Sequence, residues 1–320
     1  MGESRAVAVV IPSWNTLAYL PACLGSLRDQ GVEIELLVVD NGSSDGSLEY
    51  LRQEGVPHVA LPENAGFAAA VNLGVSRTRA GSVLVLNADT VLEPGCAGRL
   101  LDALEADAAL GGVQPRILQL EGGRPAGVDA ARLYSAGQAL TRDGRAYERG
   151  AGEEQRRELL ERREIFGVCG AACLLRRELF AGPLGGYDER YFAFYEDVDL
   201  NVRARIAGWR FEYVPEAAVW HAGNAAWSAG FERPDADNAR LVARNRLATQ
   251  VKFMPRSAAP RIAAVESGSL LRAARQRRFR ATLAGKLAAL RRLPDLLRER
   301  RRLRRSGGDP DLARRWLGGR

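Results

Sequence analysis

The sequence predicts an α/β fold with a mixed, mostly parallel central sheet, and three observations predict it. Short continuous apolar runs rich in β-branched residues recur through the first 120 residues, as strands covered on both faces require. Each gives way to a loop dense in turn formers and then to apolar residues at helical spacing. The chain has 320 residues, 46% of them hydrophobic, enough to bury a large core around such a sheet.

Residues 7–11 form the first strand, broken by Pro12-Ser13-Trp14-Asn15. Leu17, Leu20, Leu24 and Leu27 then predict a helix to about Gln30. Residues 34–39 give a second strand, ending in the turn-rich Asp40-Asn41-Gly42-Ser43-Ser44-Asp45-Gly46. A short strand at 59–61, a loop at 62–67 and a helix to about Arg79 follow. The strand at 83–86 ends in Asn87-Ala88-Asp89-Thr90, and Pro94 is placed to open the next helix as an N1 proline.

Residues 113–118 are a further strand, and 121–164 read as a polar excursion, partly helical around 153–163. Apolar character returns at 166–175, where small residues let a backbone or ligand come close. A helix over 196–207 would carry Glu196, Asp197 and Asp199 in its first turn, where the helix dipole favours acids. A strand at 211–214 is ended by Pro215, with Val219-Trp220-His221 and a helix at 237–253 beyond it. After Pro260 the chain is arginine-rich and helical in segments, interrupted by Pro294.

Composition narrows the class. Cys23, Cys96, Cys169 and Cys173 are too few and too irregular for a disulfide framework and read as buried free thiols. With no signal segment and no apolar run long enough to cross a bilayer, the expected location is the cytoplasm. The net charge of +7 is uneven: residues 266–320 carry 17 basic against 5 acidic residues, and 1–265 carry 29 against 34. A basic tail on a slightly acidic body points to an anionic surface. Residues 270–305 repeat leucine at 283, 287, 290, 293 and 297, which fits a basic amphipathic helix lying on the inner face of a membrane. A nucleic-acid-binding protein using this tail is the competing class, and the acidic body and the lack of a nucleic-acid motif count against it.

Locally, the polar residues at strand ends have two readings each. Asp89 serves as a turn residue or as a hard-oxygen ligand for Mg²⁺ or Mn²⁺. Asp40 makes an Asx turn or accepts from the imide of a pyrimidine base. His221 packs beside Trp220 or ligates. Glu196 and Asp197 cap a helix or face a reaction centre, and about 100° of helical rotation between them excludes the same role for both. Trp14, Trp220 and Trp227 are either core residues or stacking platforms.

In order along the chain, Ile11-Pro12-Ser13-Trp14-Asn15, Val39-Asp40-Asn41-Gly42-Ser43-Ser44-Asp45-Gly46, Glu63-Asn64-Ala65-Gly66-Phe67-Ala68, Leu86-Asn87-Ala88-Asp89-Thr90 and Glu196-Asp197-Val198-Asp199-Leu200 with His221 resemble family 2 inverting glycosyltransferases, nearest to the bacterial rhamnosyltransferase-like branch. Asn-Ala-Asp stands where that family has Asp-x-Asp.

The resemblance implies a GT-A-type nucleotide-diphosphate-sugar transferase fold, with a catalytic domain at 1–255 and a basic helical extension at 256–320. It implies a dTDP- or UDP-linked donor, a donor of rhamnose being one reading, and a lipid-linked or polysaccharide acceptor. By it, Asp40 contacts the nucleobase, and Asn87, Ala88 and Asp89 meet the ribose, diphosphate and metal. Pro12, Trp14, Asn15, Asn64, Gly66 and Asn72 join the nucleotide-sugar contacts, while Gly170 and Ala171 lie near the donor sugar and acceptor. His221 is implied at the diphosphate or metal, and Asp197 as general base with Glu196 beside it. A relative that binds the nucleotide-sugar without catalysis is the other class that these motifs admit.

Overall fold

The computed structural model describes residues 5–120, 125, 127–223, 234–305 and 316. Its strands run β1 (Ala6–Ser13), β2 (Glu33–Asp40), β3 (His58–Ala60), β4 (Ser82–Leu86), β5 (Thr90–Leu92) and β6 (Leu110–Gln119). They continue as β7 (Leu133–Ser135), β8 (Gln138–Leu140), β9 (Ala146–Glu148), β10 (Arg163–Ile165), β11 (Ala172–Arg176) and β12 (Arg210–His221). The helices are α1 (Leu20–Gly25), α2 (Ser47–Gln53), α3 (Phe67–Arg77), α4 (Cys96–Glu105), α5 (Glu196–Ile206), α6 (Pro234–Phe253), α7 (Ala259–Arg275), α8 (Phe279–Arg291) and α9 (Leu293–Arg305).

The large sheet has the order β10-β12-β6-β11-β4-β1-β2-β3. Its β3-β2-β1-β4 half is parallel, and β11 turns it over by pairing antiparallel with both β4 and β6. The apolar runs of β1 and β4 are buried on both faces, which is why they lack alternation. One core layer lies under α1 and α4 and a second under α3 and α5. All four cysteines are free and buried.

Four expectations are corrected. Pro215 does not end a strand: β12 runs on to His221, and a register shift against β6 between Val214 and Ala218 takes up the proline. Pro94 lies outside α4, whose N-cap is Gly95 at φ 70°. The first helix is only α1, with turns on either side. Within 121–164 the described residues form β7 to β10, and the expected helix at 153–163 shrinks to a 3-10 turn at Arg157–Leu159. The segment 270–305 is three helices in sequence, with Lys286 and Leu296 buried and Leu287, Leu290 and Leu297 exposed. Among the described residues no helix is long and apolar enough to cross a membrane.

Candidate active site

A crevice of about 330 Å³ opens at the carboxyl ends of β1 and β4, where an open α/β sheet presents its loops. Its walls are the segment after β1, with Pro12 and Trp14; the segment after β4, with Asn87, Ala88 and Asp89; and Gly170 and Ala171 ahead of β11. The first turn of α5, the end of β12 and the β8–β9 ribbon close the other side.

One end of the crevice is built by the pairing of β12 with β5, which sets His221 opposite Thr90. His221 Nε2 thereby lies 3.2 Å from Asp89 Oδ1 and 3.2 Å from Asn87 Nδ2. Both groups approach the same ring nitrogen, and the buried Nδ1 has no hydrogen-bond partner. A carboxylate and an imidazole converge here, with no group of three His, Cys, Asp or Glu able to hold a metal among the described residues. This donor set fits Mg²⁺ or Mn²⁺ as a shared ion, since such ions take their remaining ligands from phosphate oxygens and water.

The other end is built on strain. Phe192, Phe194 and Tyr195 adopt φ of 66°, 66° and 70°, left-handed values that each cost on the order of 1–3 kcal/mol in a non-glycine residue. Asn245 of α6 holds the turn: its Nδ2 sits 2.9, 2.8 and 2.8 Å from the carbonyls of Tyr191, Ala193 and Phe194. Gly66 backs it from the opposite side, where a Cβ would come within 2.6 Å of Phe192. The turn delivers Glu196 and Asp197 to the N-terminus of α5, and both face the crevice.

Asp197 is fully equipped as a carboxylate. Its Oδ2 accepts from Gln138 Nε2 at 2.7 Å and from the Gly170 amide at 3.0 Å, and its Oδ1 from the Val198 amide at 2.7 Å. Burial nonetheless pushes its pKa above the usual carboxylate value, against the pull of those bonds. Glu196 goes well above that value, through burial first and the Asp197 charge second, and its Oε2 has no partner. The neighbours are thus differentiated: both are pushed up by burial, but only Asp197 has its oxygens met by several donors, while Glu196 is raised further with one oxygen unpartnered.

A family model described as Glycosyl transferase family 2 matches residues 8–182, more than half of the chain. The chain belongs to glycosyl transferase family 2. It is 35% identical over 207 residues to the N-acetylglucosaminyl-diphospho-decaprenol L-rhamnosyltransferase of Mycobacterium tuberculosis, covering 59% of this chain and 66% of that protein. With an N-acetylglucosaminyltransferase of Mesorhizobium japonicum it shares 28% over 228 residues, 67% of this chain and 50% of the relative. The chain therefore spans between half and two thirds of the length of these relatives.

Two solved structures share the GT-A fold. GalNAc-T7 with UDP, GalNAc and Mn²⁺ has a TM-score of 0.59 at 15% identity, over 79% of this chain and 49% of that one. A mannosyltransferase from Pyrobaculum calidifontis in complex with GDP-Man and Mn²⁺ has a TM-score of 0.50 at 18% identity, over 97% and 78%.

In this family 2 member the crevice gathers Pro12, Trp14, Asn64, Asn87, Ala88, Asp89, Gly170, Ala171, Glu196, Asp197 and His221. Four other expected residues lie behind that wall. Asp40 is fully buried, its Oδ2 accepting from Ser43 N at 3.2 Å and its Oδ1 without a partner. Asn15 accepts from Ser44 N at 2.8 Å. Gly66 caps α3 at φ 94°, and Asn72 is bonded to both backbone groups of Tyr187 at 2.8 and 3.0 Å. Trp220 is a core residue with no exposure, its Nε1 donating to Glu93, and Trp227 lies outside the described residues. Gln138, Tyr147 and Glu148 line the crevice without having been singled out in the sequence. They lie in the polar excursion, where strands of three residues leave no periodic signal.

Proposed function

We propose that this glycosyltransferase moves a sugar, rhamnose in the reading we favour, from a dTDP- or UDP-linked donor to a hydroxyl of a lipid-linked or polysaccharide acceptor, inverting the anomeric carbon. The observation that carries the reading is the shared crevice, with the Asp89–His221 pair at one end and Asp197 at the other. The name of the Mycobacterium tuberculosis relative supports rhamnose and a polyprenyl-diphosphate acceptor.

In the mechanism we infer, Asp197 takes the proton of the acceptor hydroxyl as its oxygen attacks the anomeric carbon, and the bond to the diphosphate breaks on the opposite face. The bonds from Gln138, Gly170 and Val198 fix that carboxylate in place before substrate arrives. Asp89 and His221 would hold Mg²⁺ or Mn²⁺, which when bound neutralises the charge growing on the departing diphosphate. The Mn²⁺ present in both structural neighbours supports that choice.

The catalytic body is taken as 1–255, with Asp40, Asn15, Asn64, Gly66 and Asn72 shaping the nucleotide side. The extension at 256–320 is taken as a basic element holding the enzyme peripherally on the inner face of the cell membrane. Exposed Phe279, Leu287 and Leu290 on α8, which also carries Arg280, Lys286 and Arg291, support that placement.

The test is a panel of nucleotide-sugars with Mg²⁺ or Mn²⁺ and a polyprenyl-diphosphate N-acetylglucosamine acceptor. Turnover of dTDP-rhamnose is expected, and Asp197→Asn is expected to abolish it with donor affinity intact. Failure of the wild type to bind or turn over any donor would remove the proposal, and full activity of the variant would move the base elsewhere.

A further inference from the structure

Across the crevice from α5, Glu148 ends the β8–β9 ribbon with its carboxyl tied into the same amide that holds Asp197. Gln138 Nε2 donates to Asp197 Oδ2 at 2.7 Å and to Glu148 Oε1 at 3.2 Å, so both of its hydrogens are committed to carboxyl groups. The amide cannot be flipped. Its Oε1 accepts from Asn201 Nδ2 at 2.9 Å, and that nitrogen also donates to the Val168 carbonyl at 2.8 Å.

The other oxygen of Glu148 is oriented by an equally directed chain. Cys169 N donates to Gln114 Oε1 at 2.7 Å, which aims the Gln114 amide nitrogen at Ser135 Oγ, 2.8 Å away. Gly137 N donates to the same oxygen at 3.1 Å. With two donors pointed at it, the Ser135 hydroxyl has its own hydrogen free for one direction only, and it goes to Glu148 Oε2. Both chains thus end on Glu148, through Gln138 Nε2 at one oxygen and Ser135 Oγ at the other, and the residue itself lines the crevice.

Such an arrangement is more than packing. A half-buried carboxyl kept only for structure is cheaper as an amide or an apolar residue. Here the chain spends Gln114, Ser135, Gln138 and Asn201 on presenting one beside the base. Their shared nitrogen keeps the Asp197 and Glu148 oxygens no farther apart than two hydrogen bonds laid end to end, a span that two neighbouring hydroxyls of one sugar ring can bridge.

We propose that Glu148 is a specificity-determining, acceptor-binding residue: it holds the ring hydroxyl next to the one that Asp197 deprotonates, so the acceptor is a sugar with two adjacent free hydroxyls. This rests on the reading of Asp197 as the base. Burial pushes the Glu148 carboxyl up to about 7, against the lowering bond from Ser135 and with the Asp197 charge adding to the rise. Near neutrality it can thus both accept from and donate to a hydroxyl.

The experiment compares wild type, Glu148→Gln and Glu148→Ala with dTDP-rhamnose and a short-chain polyprenyl-diphosphate N-acetylglucosamine, together with the 3-deoxy and 4-deoxy forms of that acceptor. The acceptor KM is expected to rise at least about tenfold in both variants, as loss of a charge-assisted hydrogen bond implies. Donor KM and the slow hydrolysis of the donor by water are expected to stay as in wild type, which reports that the fold and Asp197 are intact. Wild type is expected to discriminate against the acceptor lacking the neighbouring hydroxyl, and the variants are expected to lose that discrimination. An unchanged acceptor KM, discrimination retained in the variants, or hydrolysis lost in parallel with transfer would each overturn the inference while leaving the proposed activity standing. No turnover of any donor by wild type would instead overturn that activity, and this inference with it.

Discussion

At Asp197, opposing influences of comparable kind set the chemistry. Burial raises its pKa, and three hydrogen bonds to the ionised form lower it, with a net rise. A base must be ionised to act, so turnover should climb with pH along a limb lying above the ordinary aspartate range, and stay low beneath it. Gln138→Leu removes a donor to the ionised form, which raises the pKa further. The acid limb of the kcat profile should therefore move to higher pH, and a limb that stays put or moves down would refute this account of the carboxylate. The three acids were legible in the sequence because they follow an aromatic cluster at a helix start. Gln138 and Glu148 were not, since an amide and a carboxyl on separate three-residue strands meet only through pairing of Gln138 with Glu148 across the ribbon.

At the level of elements, the segment 191–195 matters more than the helix it introduces. Three left-handed non-glycine residues persist there because α6 supplies an amide with two hydrogens for three carbonyls, and Arg244 adds a bond to the Tyr191 carbonyl at 2.7 Å. Asn245→Ala takes its donor from the Ala193 and Phe194 carbonyls, while Tyr191 keeps Arg244, and should lower stability by about 1–3 kcal/mol. Because the turn aims Asp197, kcat should fall on the order of 10²-fold while nucleotide affinity holds. Calorimetric unfolding and steady-state kinetics check both, and a stability loss with kcat unchanged would make Asn245 a purely structural residue. The strands of the parallel half were legible because burial on both faces writes them as unbroken apolar runs. The course of β12 was not, because a proline ordinarily stops a ladder, and only the register shift against β6 lets this one pass.

For the molecule as a whole, the basic C-terminal helices are tied to α5 through buried charge. Lys252 of α6 reaches Asp199 of α5, lies 3.3 Å from Asp188 and 3.1 Å from Glu299 of α9. Glu266 of α7 is bonded by Arg246 of α6 and Lys286 of α8, and Gly285 lets α8 approach the Arg240 carbonyl so closely that a Cβ would lie 2.2 Å away. Composition showed that the tail was basic, but not that it braces α6, because the few acids and the one glycine responsible are scattered among arginines. The central claim is that residues from opposite ends of the sheet serve one reaction. Its most direct measurement is a crystal structure of Asp197→Asn with nucleotide-sugar and Mn²⁺, using the anomalous signal of the metal. The account predicts Mn²⁺ at Asp89 and His221, the diphosphate against it and the anomeric carbon turned toward residue 197. A nucleotide-sugar or metal bound on a surface apart from that crevice would contradict it.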